Sequence, residues 1–191
     1  MKIGVLSLQG AFAEHIVALH RLGVEAIPIR LPGDLAGLDG LIIPGGESTS
    51  ISKLMLDYRL RNEISKLART GLPILGTCAG MILVAQENSS TDIKPLGLMA
   101  IKVKRNAFGR QRESFETELS IPALGDKPFH GVFIRAPKVE QTNNGVEILA
   151  SLDDGTPIAV KQGKIVALAF HPELTDDLRF HKYFLNMINS K

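Results

Sequence analysis

The chain has one cysteine, Cys78, among its 191 residues. A single thiol excludes an internal disulfide, which suits a reducing compartment and sets the expectation of a cytoplasmic protein. Charge of one sign is also lacking: 22 Lys and Arg stand against 20 Asp and Glu, leaving +2. With no basic stripe, that balance gives no electrostatic reason to expect a nucleic-acid partner. No apolar run approaches the roughly 18–20 residues of a membrane span, so no membrane partner is expected. The apolar run over residues 3–8 is too short for a secretory signal core and leads into Gln9, Glu14 and His15. Internal repeats, low-complexity tracts and linkers are absent. The length predicts one domain over residues 1–191, large enough for a sizeable core.

What is present centres on the lone cysteine, in Gly76-Thr77-Cys78-Ala79-Gly80. Leu72-Pro73-Ile74-Leu75 reads as a buried strand and Met81-Ile82-Leu83-Val84-Ala85 as the helix that follows. Small residues on both sides of Cys78 allow the sharp strand-to-helix turn of a nucleophile elbow, here with Cys in place of Ser. The turn lifts the sulfur above the sheet edge, and the N–H groups opening the helix favour a thiolate there. A lone cysteine can equally be a small buried hydrophobe, so the nucleophile needs a base.

Near the C-terminus, Ile165-Val166-Ala167-Leu168-Ala169-Phe170 ends in His171-Pro172-Glu173. Residues two apart on an extended segment point to the same side, so His171 and Glu173 can lie together. A carboxylate beside an imidazole fixes its tautomer and stabilises the imidazolium. Cys78, His171 and Glu173 therefore supply nucleophile, base and orienter. The other reading has His171 ending a strand and Glu173 capping a helix. A third piece follows the short strand Leu41-Ile42-Ile43, which breaks into Pro44-Gly45-Gly46-Glu47-Ser48. Successive glycines let main-chain N–H groups face a developing negative charge, and one donor near Gly46 plus Ala79 N–H would make an oxyanion hole. A plain tight turn, or a phosphate cradle, is the alternative; the Lys-Ser/Thr of a P-loop is missing.

The first half alternates strands and helices. Ile3-Gly4-Val5-Leu6, residues 24–29 and residues 41–43 read as strands. Phe12, Ile16 and Leu19 fall at helical spacing with Gly23 as a stop, and a helical region over residues 50–68 is closed by Gly71. That order predicts a parallel sheet wrapped by helices, with ligands beyond the carboxyl ends of its strands. After residue 96 the pattern turns strand-rich, at 101–103, 115–119, 129–134, 148–152 and 157–160, and reads as an antiparallel addition to the same sheet. A C-terminal helix carries Phe180, Phe184, Met187 and Ile188 on a core-facing side. The predicted class is three-layer α/β, mainly parallel, with an antiparallel extension.

The cysteine elbow, glycine loop and His-Pro-Glu together resemble the class I, triad-type glutamine amidotransferases, whose fold is flavodoxin-like. Further stretches resemble the glutaminase subunits of pyridoxal 5′-phosphate synthase over essentially the whole chain. These are Leu8-Gln9-Gly10 with Glu14-His15, Arg105-Asn106-Ala107-Phe108-Gly109-Arg110-Gln111, Ser114-Phe115-Glu116, and Phe133-Ile134-Arg135-Ala136-Pro137. The resemblance implies hydrolysis of glutamine, with Gly46, Glu47, Ser48, Arg105, Ile134 and Arg135 binding it and Arg105 clamping its α-carboxylate. It also implies a (β/α)8-barrel synthase partner in a large hetero-oligomer, with Gln9-Gly10 near that contact, and neither cofactor nor metal on this chain. Arg110, Arg112 and Arg135 are candidates for the protein interface. His15, His20, His130 and His181 read as packing or surface residues. A glutaminase serving another acceptor, such as imidazole glycerol phosphate synthase, or a non-catalytic regulator on the same fold, would share the triad-level features.

Overall fold

Strands without polar interruptions need cover on both faces, and such strands build the centre of this chain. The computed structural model describes residues 1–89, 92–106 and 114–189. Its first half runs β1 (Lys2–Leu6), α1 (Phe12–Arg21), β2 (Glu25–Ile29), β3 (Gly40–Ile43), α2 (Ser48–Asp57), α3 (Leu60–Arg69), β4 (Ile74–Thr77) and α4 (Ala79–Val84). The second half runs β5 (Ala85–Asn88), β6 (Met99–Lys104), β7 (Ser114–Leu119), β8 (Phe129–Ile134), β9 (Lys138–Thr142), β10 (Glu147–Ser151), β11 (Pro157–Gln162), β12 (Ile165–Leu168) and α5 (Arg179–Asn189).

Seven strands form the central sheet in the order β10-β11-β12-β4-β3-β1-β2. The pairs from β12 to β2 are all parallel, whereas β11 pairs antiparallel with β12 and with β10. Every residue of β3, β4 and β12 is buried. Pro28, which has no N–H for a ladder, sits on β2 at the sheet edge, where it is tolerated. The predicted α/β class, with a mainly parallel sheet and an antiparallel extension, is what the chain adopts.

The extension is smaller than expected. Of the second-half strands predicted to join the central sheet, β10 and β11 do so. Strand β6 instead pairs with β5 and β9 in a separate three-stranded sheet, and β7 and β8 form a two-stranded ribbon. Alternation of apolar residues announces a strand but not its partner. The helical region over 50–68 is two helices, broken where Arg59 takes a left-handed φ of 60°. No glycine marks that break. The helix expected through Ala85 stops at Val84, and Ala85 opens β5.

The ends that matter are held from several directions. Phe129 of β8, Phe170 after β12 and Phe180 of α5 pack ring to ring, with centroids 5.0–5.8 Å apart. Phe133 joins at 5.4 Å from Phe170. The ribbon is thereby fastened to the carboxyl end of β12, although it shares no ladder with the central sheet.

Candidate active site

The peptide after β4 turns abruptly into α4. Cys78 takes φ 49° and ψ −102°, a conformation that L-residues rarely hold. Gly76 and Gly80 serve close approach rather than the turn itself. A Cβ on Gly80 would stand 2.0 Å from the Ile43 carbonyl oxygen, and one on Gly76 would stand 2.8 Å from Gly80. The elbow is thus wedged under β3, with the unusual torsion on the cysteine.

His171 follows β12, the strand paired next to β4. Its main-chain N–H donates to Val132 of the ribbon at 2.9 Å, and its Nδ1 lies 2.7 Å from Oε1 of Glu173. Glu173 opens out from the 3₁₀ turn Pro172–Leu174 and is buried. Burial works against a charged His171, yet hydrogen bonds with Cys78 and Glu173 outweigh it and raise its pKa to about 10. Burial likewise opposes a charged Glu173, but His15 and His171 together hold the carboxyl below its usual range. The arrangement favours an imidazolium between a sulfur and a carboxylate at neutral pH.

The glycine loop after β3 lies against both. A Cβ on Gly45 would fall 2.2 Å from Cε1 of His171 and 3.2 Å from Cβ of Cys78, so glycine is obligatory there. Gly45 N–H donates to the Thr77 hydroxyl at 3.1 Å and Glu47 N–H to Gln9 Oε1 at 2.7 Å. Those two are committed, and the Gly46 N–H between them is the loop's candidate oxyanion donor. Glu47 caps α2, accepting from Thr49 N at 3.0 Å and Ser50 N at 2.7 Å. Partial burial opposes its charge, but these bonds and the Ser50 hydroxyl pull its pKa down to about 2.

Gly46, Glu47, Ser48, Cys78, Ala79, Arg105, Ile134, Arg135 and His171 line one cavity of about 440 Å³. Every pocket-facing residue predicted from the sequence is therefore brought together, with Glu173 behind His171. Arg105 reaches Glu47 Oε1 at 3.2 Å and Thr49 Oγ1 at 3.1 Å across the rim. The Ile134 carbonyl faces Cys78 Sγ at 3.7 Å, and Arg135 after it has φ 44°. A larger cleft of about 870 Å³, beside the ribbon, is lined by His130, Arg179 and several carboxylates but by neither cysteine nor serine. Ala107, Phe108, Gly109, Arg110, Gln111 and Arg112 lie outside the described residues.

A thiol, an imidazole and a carboxylate on this fold are shared by many hydrolases, and comparison narrows the choice. Residues 5–190 match the SNO glutamine amidotransferase family. The chain belongs to that family. The pyridoxal 5′-phosphate synthase subunit PdxT of Moorella thermoacetica is 55% identical over 188 residues, covering 98% of this chain and all of the relative. The subunit of the same name from Thermotoga neapolitana is 50% identical over 98% of this chain and all of its own. A solved glutamine amidotransferase superposes with TM-score 0.92 at 50% identity, covering 98% of both chains. PurLQS from Thermotoga maritima, at 17% identity and TM-score 0.70 over 97% of both chains, shares the fold.

Within this amidotransferase two of the histidines expected to serve packing or surface roles are buried and make polar contacts as well. His15 and His181 have no exposed surface, and His15 contacts both Glu173 and Thr77. Simple packing does not account for such partners. His15 falls in the Leu-Gln-Gly…Glu-His stretch, which was the available signal; His181, inside an apolar helix face, had none. His130 behaves as expected, on the surface between Glu116 and Glu118, and His20 is exposed. Among the described residues no helix is long and apolar enough to cross a membrane.

Proposed function

We propose that this chain, acting as one amidotransferase domain over residues 1–191, is the glutaminase subunit of a pyridoxal 5′-phosphate synthase. The observation that carries the reading is the convergence of Cys78 and His171 on Gly45, with Glu173 2.7 Å behind the imidazole. The family and the relatives' names supply the substrate and the pathway.

Glutamine enters the cavity with its side-chain amide against Cys78, and the sulfur adds to the carbonyl carbon. The N–H groups of Gly46 and Ala79 stabilise the tetrahedral oxyanion. His171, charged before attack, delivers its proton to the departing ammonia and leaves a γ-glutamyl thioester. Water, deprotonated by the now neutral His171, attacks the thioester and releases glutamate. Glu173 holds the imidazole in one tautomer throughout. Arg105, steadied by Glu47 and Thr49, clamps the α-carboxylate, while Glu47, Ser48, Ile134 and Arg135 shape the rest of the glutamine site.

Ammonia set free in neutral water is protonated and lost as a nucleophile, so the product needs a receiver. The receiver in this reading is a (β/α)8-barrel synthase subunit in a large hetero-oligomer in the cytoplasm. That subunit would combine ammonia with ribose 5-phosphate and glyceraldehyde 3-phosphate. Ammonia release from glutamine by the purified chain, with and without the synthase subunit, tests the whole scheme. Weak turnover alone and stimulation by the synthase are expected. Cys78→Ala abolishes turnover, and a glutamine-mimicking electrophile labels Cys78. Full activity of Cys78→Ala would reject the mechanism.

A further inference from the structure

Behind the triad, reached through the second oxygen of Glu173, lies a buried cluster that the mechanism above does not use. His15 on α1 and His181 on α5 meet with Nδ1 of His15 3.0 Å from Nε2 of His181. The other nitrogen of His15, Nε2, is 3.1 Å from the Thr77 hydroxyl and 3.4 Å from Oε2 of Glu173. Thr77, one residue before Cys78, accepts the Gly45 N–H. Among the described residues Glu173 Oε2 makes no hydrogen bond, and His15 is a polar neighbour placed to steady that half of a buried carboxylate.

The hydrogens are placed by weighing the two tautomers that the contacts allow. Burial pushes both rings toward the neutral form, His15 downward in spite of Glu173, and His181 to about 3. Two neutral rings sharing one N···N contact hold a single hydrogen in it. With His15 protonated on Nε2, that N–H faces Thr77 and the acceptor-only Glu173, and its Nδ1 accepts from His181 Nε2–H. His181 Nδ1 is then a bare lone pair, which agrees with its having no partner among the described residues. The opposite assignment gives the Thr77 hydroxyl hydrogen an acceptor in His15 Nε2, but it sets a lone pair against the carboxylate and buries a His181 N–H with no acceptor, the costlier pair of losses.

We propose that His15 is a positioning residue for the glutaminase, holding from one nitrogen both the carboxylate that orients His171 and the hydroxyl that anchors the Gly45 loop. The proposal rests on the glutaminase reading of the site. His181 sets the tautomer of His15, and Thr77 carries the connection to the loop against which Cys78 and His171 pack. The turn after β12, the end of β4 and the loop after β3 are thereby registered to one another through a single ring.

Glutamine hydrolysis by the chain in complex with its synthase subunit provides the test, with folding followed by circular dichroism. Absence of wild-type turnover would overturn the glutaminase reading and this inference together. His15→Leu keeps a comparable volume and removes both nitrogens; kcat is expected to fall about ten- to a hundredfold, the usual effect of losing an outer-shell partner. KM for glutamine stays close to that of wild type, because His15 touches no substrate. His15→Gln, whose amide N–H reaches the Nε2 position, recovers most of kcat. A folded His15→Leu with wild-type kcat, or a His15→Gln as slow as His15→Leu, overturns the proposal alone. If His15→Leu does not fold, Thr77→Val decides: a fall in kcat at constant KM supports the linkage, and an unchanged kcat removes it.

Discussion

Cys78 occupies a backbone conformation that costs about 1–3 kcal/mol for a residue with a side chain, and the surrounding glycines and β3 carbonyl leave it no other. The same residue governs the charge on its neighbour. Burial alone would drive His171 toward the neutral form, and the hydrogen bonds it donates to Cys78 and Glu173 reverse that, to about 10. In Cys78→Ala the imidazole should titrate well below its wild-type midpoint, as read from its ring-proton NMR shifts; an unmoved midpoint would refute the pairing. For stability the sign is that of a raised histidine. The contribution is complete below the ordinary value of 6.5 and is lost as pH climbs toward 10. In the proposed mechanism Arg105, fixed by Glu47 and Thr49 at the cavity rim, belongs to binding rather than chemistry. Arg105→Ala is expected to raise KM for glutamine about tenfold or more, as for a lost charged hydrogen bond, with kcat little altered. Steady-state kinetics with equal KM in both proteins would dismiss the clamp.

At the scale of elements, close approach decides more than propensity does. Helix α4 has six residues, too short to stand by itself, and it persists because all six are buried against neighbouring strands. Gly80 lets it sit directly on the Ile43 carbonyl. Gly80→Ala must displace that contact, so the unfolding midpoint should drop by an amount matching at least the about 1–3 kcal/mol of an overpacked core. Thermal denaturation at or above the wild-type midpoint would show that β3 and α4 are not wedged together. The elements also show where sequence legibility ends. Strands β3 and β12 announced themselves as unbroken apolar runs, β4 as a run read two residues early at 72–75, and glycines marked the loop after β3 and both sides of Cys78. The break at Arg59 and the separate pairing of β6 with β5 and β9 carried no such sign. A left-handed arginine costs little in composition, and strand partners depend on distant chain.

For the whole molecule, the proposed function depends on bringing the carboxyl ends of three adjacent strands, β3, β4 and β12, to one edge of the sheet. The aromatic cluster of Phe129, Phe133, Phe170 and Phe180 adds the ribbon to that edge and places Ile134 and Arg135 in the cavity wall. A partner that grips this face must bind the folded chain alone and therefore stabilise it. At a synthase concentration one hundredfold above its dissociation constant, the linkage amounts to about 2.7 kcal/mol. In a chain of this size that raises the unfolding midpoint by about 5–10 °C. Calorimetry showing no dependence on added synthase would argue against the assembly.

Residue types alone determined the proposed chemistry: one thiol between small residues, one His-x-Glu, one glycine pair after an apolar strand. Each is a local statement, because elbows, tight turns and alternating side chains are set by neighbours within a few residues. Tertiary structure decided which strands lie side by side, that glycine at 76 and 80 serves contact rather than torsion, and that His15 and His181 belong with the triad. Those outcomes turn on distances between segments up to 166 positions apart, and no short-range pattern encodes a distance of that kind.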